Sequence, residues 1–162
     1  MPQEFVAHWK DILVAFCVSM APVLELRGGI IYAAARSVPF PLAAAVCFLG
    51  NLLPMPFVLL FLRRVFAFLA RFRLAQGLVN RLTDRARKQG GKRQAATLLG
   101  LFLFVAIPLP GTGAWSGALV AVVLGIPLRK ALPAIALGVL AALLIMITLS
   151  YWIPGLFFNL TP

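Results

Sequence analysis

Glu25 and Arg27 stand two residues apart in an otherwise uncharged stretch, Pro22-Val-Leu-Glu-Leu-Arg-Gly-Gly29. Ionisable side chains set among apolar residues are costly to bury and point to function by default. The arginine offers a planar fork suited to phosphate or carboxylate, and a helix N-terminus beside it would add backbone N–H donors and positive dipole. Desolvation would raise the pKa of Glu25 and fit it to carry a proton. The plain alternative is a structural ion pair that fixes a turn. At i, i+2 the two side chains lie on different faces of a helix, so direct pairing requires the helix to unwind there.

A second stretch, Ile107-Pro-Leu-Pro-Gly-Thr-Gly-Ala-Trp115, carries no charge but breaks the chain in the same way. Pro108 and Pro110 interrupt helical hydrogen bonding, Gly111 and Gly113 bare the backbone, and Thr112 adds a hydroxyl. With Arg27 and Gly28 on one side and this stretch, through Trp115, on the other, the expectation is an anion site. Arg36 is a second anion contact or a snorkelling terminus. Asp11 would sit near the outer mouth and help protons reach Glu25.

The other carboxylates, Glu4 and Asp84, lie in a polar lead and among arginines, where solvated charge is the ordinary explanation. His8 is the single histidine, and Cys17 and Cys47 fall within apolar runs without metal-ligand spacing. No Ser/His/Asp set and no phosphate-binding P-loop is present. We therefore expect neither an enzyme nor a cofactor or metal. An intramembrane lipid phosphatase would need groups whose convergence the sequence alone does not fix.

The elements that must position these residues are membrane-embedded. Of 162 residues, 62% are hydrophobic, well above the 45 to 50% typical of soluble domains. Runs 95–106 and 114–125 each give roughly 18 Å of helix, too little for a hydrocarbon core of about 30 Å. Two short helices meeting at a bared backbone suggest a re-entrant hairpin, tolerated only where it is packed in protein or lines a wet cavity. Residues 11–21 and 30–35 flank the first break similarly. Residues 40–62 are long enough to span, with Pro54 and Pro56 kinking rather than ending the helix, and Arg63 and Arg64 stop it. Residues 131–151 form a second span, with Trp152, Phe157 and Phe158 anchoring the far interface.

Sliding the chain on itself by 88 residues brings Pro22 onto Pro110, Gly29 onto Gly117, Pro39 onto Pro127 and Gly50 onto Gly138. Breakers at matching positions of two halves signal an internal repeat. The expected fold is therefore an all-α integral membrane protein of one domain. Repeat 1 covers 11–62, a basic amphipathic helix at the headgroup level covers 63–94, and repeat 2 covers 95–151. Each repeat is a re-entrant hairpin followed by a transmembrane helix.

Net charge is +11, and ten of the fifteen Lys/Arg fall between Arg63 and Arg93. Placed between hydrophobic segments, this block reads as a cytoplasmic loop beside anionic lipid heads rather than as a nucleic-acid surface. Arg129 and Lys130 would be cytoplasmic too. The two spans then run in opposite senses, which makes the halves inverted repeats whose tips meet near the midplane of a multi-pass protein of the cytoplasmic membrane. Gln3 and Glu4 precede the first apolar run and only Lys10 lies nearby, so no basic n-region of a cleaved signal peptide is expected. So small a perimeter is consistent with a homodimer.

Together, Glu25-Leu-Arg-Gly-Gly-Ile30 and Pro108-Leu-Pro-Gly-Thr-Gly-Ala-Trp115 resemble the paired signatures of the bacterial and archaeal small multidrug export proteins, over nearly the whole chain. That family in turn resembles the broader DedA group, which implies inverted repeats with re-entrant hairpins and acidic and arginine site residues. Some DedA members are implicated in returning undecaprenyl phosphate across the membrane. By this resemblance Glu25 and Arg27 take the acidic and arginine roles and residues 108–115 form the second tip. The first expectation is a proton-coupled transporter or flippase for an anionic lipid, a polyprenyl phosphate. The alternatives are proton-coupled export of small cationic drugs, against which Arg27 argues by electrostatics, and a non-transporting scaffold, which would leave the buried charges without a role.

Overall fold

The computed structural model describes residues 2–69, 91–109 and 111–152. Among them the secondary structure is entirely helical: α1 (Pro2–Met20), α2 (Glu25–Ala35), α3 (Phe40–Leu52), α4 (Met55–Leu69), α5 (Gly91–Ala106), α6 (Ala114–Val123), α7 (Leu128–Ile147) and a π-helical turn Thr148–Trp152. The bulk of the expected basic amphipathic helix, residues 70–90, lies outside the described residues, as do Pro110, Phe157 and Phe158.

Two helices are long and apolar enough to cross a membrane, Phe40–Phe68 with mean hydropathy 2.1 and Leu128–Trp152 with 2.6. Pro54 and Pro56 do not end the first of them. The ladder reaches Leu53, whose N–H donates to Leu49, and resumes at once with Val58 N–H donating to the Pro54 carbonyl at 2.9 Å. Side chains such as Phe57, 71% exposed, and Phe61 turn outward along α4. Large apolar groups on the outside of a helix suit a hydrocarbon solvent rather than water.

Several boundaries differ from the sequence expectation. Helix α2 begins at Glu25 rather than at residue 30, so Glu25 to Gly29 are helical and the first break shrinks to residues 21–24, and α7 begins at Leu128 rather than at residue 131. The polar lead is helical, so α1 has 19 residues, about 28 Å, rather than starting at Asp11. Arg63 and Arg64 do not stop the first span, because charge marks where a helix leaves the hydrocarbon without breaking its hydrogen bonds. The helix continues to Leu69, and Arg63 donates to the Ile126 carbonyl. Likewise α5 begins at Gly91, ahead of its apolar run.

By internal packing the chain divides into two units, Met1–Leu53 with Val139–Pro162, and Pro54–Gly138. In the first, α1, α2 and α3 pack on one another around Ala15, Leu26, Ile30, Ala33 and Cys47. Gly29 makes this possible, since a Cβ there would collide with the Ser19 hydroxyl and come within 2.9 Å of the Ala15 carbonyl. Gly50 lets α3 approach as closely, 2.7 Å from the Phe16 carbonyl by the same measure. Tyr151 Oη closes the unit by donating to the Val38 carbonyl at 2.9 Å.

The second unit packs α4 and α5 on α6. A Cβ on Gly117 would meet Val105 at 2.5 Å and Leu101 at 3.8 Å, and one on Gly138 would meet Val105 at 2.7 Å and the Phe102 carbonyl at 2.9 Å. Ala15, Phe16 and Ser19 thus correspond to Leu101, Phe102 and Val105 at an offset of 86, whereas the glycines correspond at 88. Between these packing positions the chain of the second unit is therefore two residues longer.

After the breaks the correspondence holds bond for bond. Arg36, Ser37 and Val38 donate to Tyr32, Ala34 and Ala33, and Leu124, Gly125 and Ile126 donate to Val120, Val122 and Ala121. Both turns end a helix in the Schellman manner, with the hinge residue in the left-handed region, Ser37 at φ 53 and Gly125 at φ 67. Glycine suits that position and serine does not. Ser37→Gly is therefore expected to raise stability by about 1 kcal/mol, with Gly125→Ser losing as much, read by thermal unfolding in detergent. Two variants that melt like the parent would refute the strain.

Candidate functional site

The first break places Glu25 at the start of α2, where its carboxylate faces the helix's positive end. Its backbone is left-handed, φ 52, a conformation costly for a residue with a side chain. The position that corresponds at offset 88 is Gly113, the N-cap of α6, at φ 147. The two turns differ in detail, since the N-cap of α2 is Leu24, but a residue with a side chain held at positive φ is strained, and such residues cluster at functional sites. The carboxyl is also the only buried one among the described residues, at 6% exposure.

Arg27 follows half-buried on the first turn of α2, close enough to Glu25 for the two charges to interact. The left-handed twist at Glu25 removes it from the regular helix, which relaxes the geometric objection to i, i+2 proximity. Gly28 has a packing role, since a Cβ there would lie 2.8 Å from that of Leu24 and 3.2 Å from Val18.

Two buried polar side chains that sequence reasoning passed over belong to the same unit. Ser19 is fully buried in the last turn of α1 and donates to the Ala15 carbonyl at 2.8 Å. Asn51, 2% exposed near the end of α3, keeps its Oδ1 buried without a hydrogen-bond partner. An unsatisfied buried amide costs about 1–3 kcal/mol, so a residue of this type calls for a use other than stability. The available signal was one carboxamide inside a long apolar run, directly after Gly50.

Asp11 and Arg36 come together at the other end of the α1–α2 pair. Arg36 Nε donates to Asp11 Oδ1 at 2.8 Å, Tyr32 Oη donates to the same oxygen at 3.1 Å, and His8 Nδ1 lies 3.9 Å from Oδ2. Asp11 lies outside the two spans, and the Arg36 guanidinium, opposed by partial desolvation, holds its carboxyl below the usual carboxylate range. An acid held low stays ionised at neutral pH, which favours a latch between α1 and α2 over a proton carrier. Arg36, 59% exposed, spends its charge on that latch.

In the second unit the break from Ile107 to Gly113 is stitched by Thr112. Its Oγ1 lies 2.7 Å from the Ile107 carbonyl and 2.9 Å from that of Leu109, and accepts from Leu109 N–H at 3.3 Å. The hydroxyl expected to face a ligand is engaged within the turn. Gly111, at φ 82, is exposed with open space around its α-carbon, Gly113 is buried, and Pro108 and Trp115 are half-buried. Among the described residues no group of three His, Cys, Asp or Glu side chains is placed to hold a metal ion.

Residues 25–145 match the family model described as "Putative small multi-drug export protein". The chain belongs to this family. The match starts at Glu25, takes in Arg27, the second break and most of both spans, and agrees with the apolar helices in making this small multidrug export protein a membrane protein. No curated protein and no solved structure matches the chain.

Proposed function

We propose that the protein is a proton-coupled transporter of the cytoplasmic membrane, not an enzyme, with Glu25 as the proton carrier. The observation that carries this reading is the burial of that carboxyl at a strained helix start. Desolvation penalises the charged form of such a group, which fits it to take up and release a proton. The arginine-rich 63–94 loop on the cytoplasmic side, inverted repeats, re-entrant breaks and a homodimer complete the reading, supported by charge distribution and chain length.

For substrate we propose an anionic, phosphate-bearing lipid, with undecaprenyl phosphate the candidate through the resemblance to the DedA group. Arg27, half-buried beside Glu25, supports it as the headgroup contact. A second reading, export of small cationic drugs against protons, is favoured by the family description and by Glu25 being more deeply buried than Arg27.

Binding of undecaprenyl phosphate and of tetraphenylphosphonium to the purified protein separates the two. In Arg27→Ala the lipid should bind about 10- to 100-fold more weakly, the worth of a hydrogen bond to a charged group, while the cation binds as before or better. Lipid affinity untouched by Arg27→Ala sinks the anion reading. Cation binding that depends on Glu25 replaces it with drug export.

A further inference from the structure

Between α5 and α7, within the second unit, runs a groove of about 740 Å³. Gly138 draws the helices together at one end, against Phe102 and Val105. At the other end Lys130 Nζ donates to Gln94 Oε1 at 2.7 Å. Between these ties the walls part, with Leu99 and Phe102 on one side and Pro133 and Leu137 on the other. Leu99 and Leu137 are 58% and 57% exposed, so the groove opens sideways along its length.

Its chemistry is graded. The walls are apolar, and one mouth carries Arg129 and Lys130 with no acidic residue in the lining. Lys130 keeps two N–H donors beyond the one given to Gln94. Both cations sit in the first turn of a 20-residue helix, at its positive pole. A soluble anion would use that mouth and leave the walls bare, and an uncharged hydrocarbon would do the reverse.

We infer that the groove binds one acidic glycerophospholipid, its phosphate on Arg129 and Lys130 and an acyl chain laid between Leu99 and Leu137. The inference stands apart from the transport reading, since it requires only that α7 lies in a membrane. Volume and opening agree with it, the space falling within the roughly 300–1,000 Å³ of small-ligand sites.

The test titrates the full chain in neutral detergent with dioleoylphosphatidylglycerol and counts retained lipids by native mass spectrometry. One tightly held phosphatidylglycerol is expected, with phosphatidylcholine and glycerol 3-phosphate held far less. In Arg129→Gln/Lys130→Gln the affinity should fall about 30-fold, each charge being worth about a factor of five beside an anionic headgroup. Leu99→Trp and Leu137→Trp, which fill the groove from opposite walls, should each lose the retained lipid while leaving the mouth intact. Phosphatidylcholine held as tightly would overturn the proposal, as would glycerol 3-phosphate bound equally well. Lipid retention unchanged in both tryptophan variants would overturn the proposal and move the binding to the basic sequence 63–93. A change of oligomeric state in those variants would assign the groove to a second copy of the chain.

Discussion

Glu25→Gln reconstituted in vesicles should purify folded and bind the phosphate-bearing lipid, yet move no protons with it. The amide keeps the size and hydrogen-bonding reach of the carboxyl but cannot exchange a proton at any accessible pH. The readout is a pH-sensitive dye trapped in the vesicles, and a wild-type proton signal from the variant removes Glu25 from the coupling role. Two further substitutions separate the chemistry of this residue from its backbone. Glu25→Ala and Glu25→Gly both delete the carboxyl and both should be inactive, but only glycine is at ease at φ 52. Glu25→Gly should therefore be the more stable of the pair by about 1 kcal/mol. Equal stability would mean that the turn relaxes freely and that the glutamate carries no strain.

Gly29→Val and Gly117→Val should each cost about 3 kcal/mol or more and leave little folded protein in detergent. Overpacking usually costs 1–3 kcal/mol where neighbours can give way. Here they cannot. The added Cβ on Gly29 meets Ser19, whose hydroxyl is held on the Ala15 carbonyl in a fully buried position, and that on Gly117 meets Val105, itself buried against Gly138. Gly100, on the exposed side of α5 with open space around it, provides the contrast. Gly100→Ala should gain about 0.5–1 kcal/mol through helix propensity alone. Size-exclusion chromatography with thermal unfolding reads all three, and a Gly29→Val protein that melts with the parent would contradict the close approach of α1 and α2.

Both results bear on what a sequence of this kind discloses. Breakers and apolar runs are local, so the two breaks, the two spans and the correspondence of Gly29 with Gly117 could be read directly. The register change could not, because the offset of 86 in α1 and α5 is carried by Ala15, Phe16 and Ser19, of which only Phe16 matches its partner, Phe102, while Ala15 and Ser19 face Leu101 and Val105. Pro22 aligned with Pro110 hides the two extra residues of the second unit. The glutamate's left-handed backbone was equally hidden, since the offset of 88 sets Glu25 on Gly113 but carries no backbone angle. Asn51 drew no notice because hydropathy averages one amide away in a long apolar helix. The hydrogen bonds of the Thr112 hydroxyl were not legible because its partners, the Ile107 and Leu109 carbonyls, meet it only after the chain has turned.

The cysteines take on a use from their surroundings. Cys17 is exposed on α1, whereas Cys47 is wholly buried, its sulfur 3.0 Å from where a side chain on Gly29 would begin. In detergent, a small lipid-soluble thiol reagent would mark the first readily and reach the second only when α1, α2 and α3 separate. The first unit thus carries an internal reference and a clock for its own opening, with no residue to be introduced.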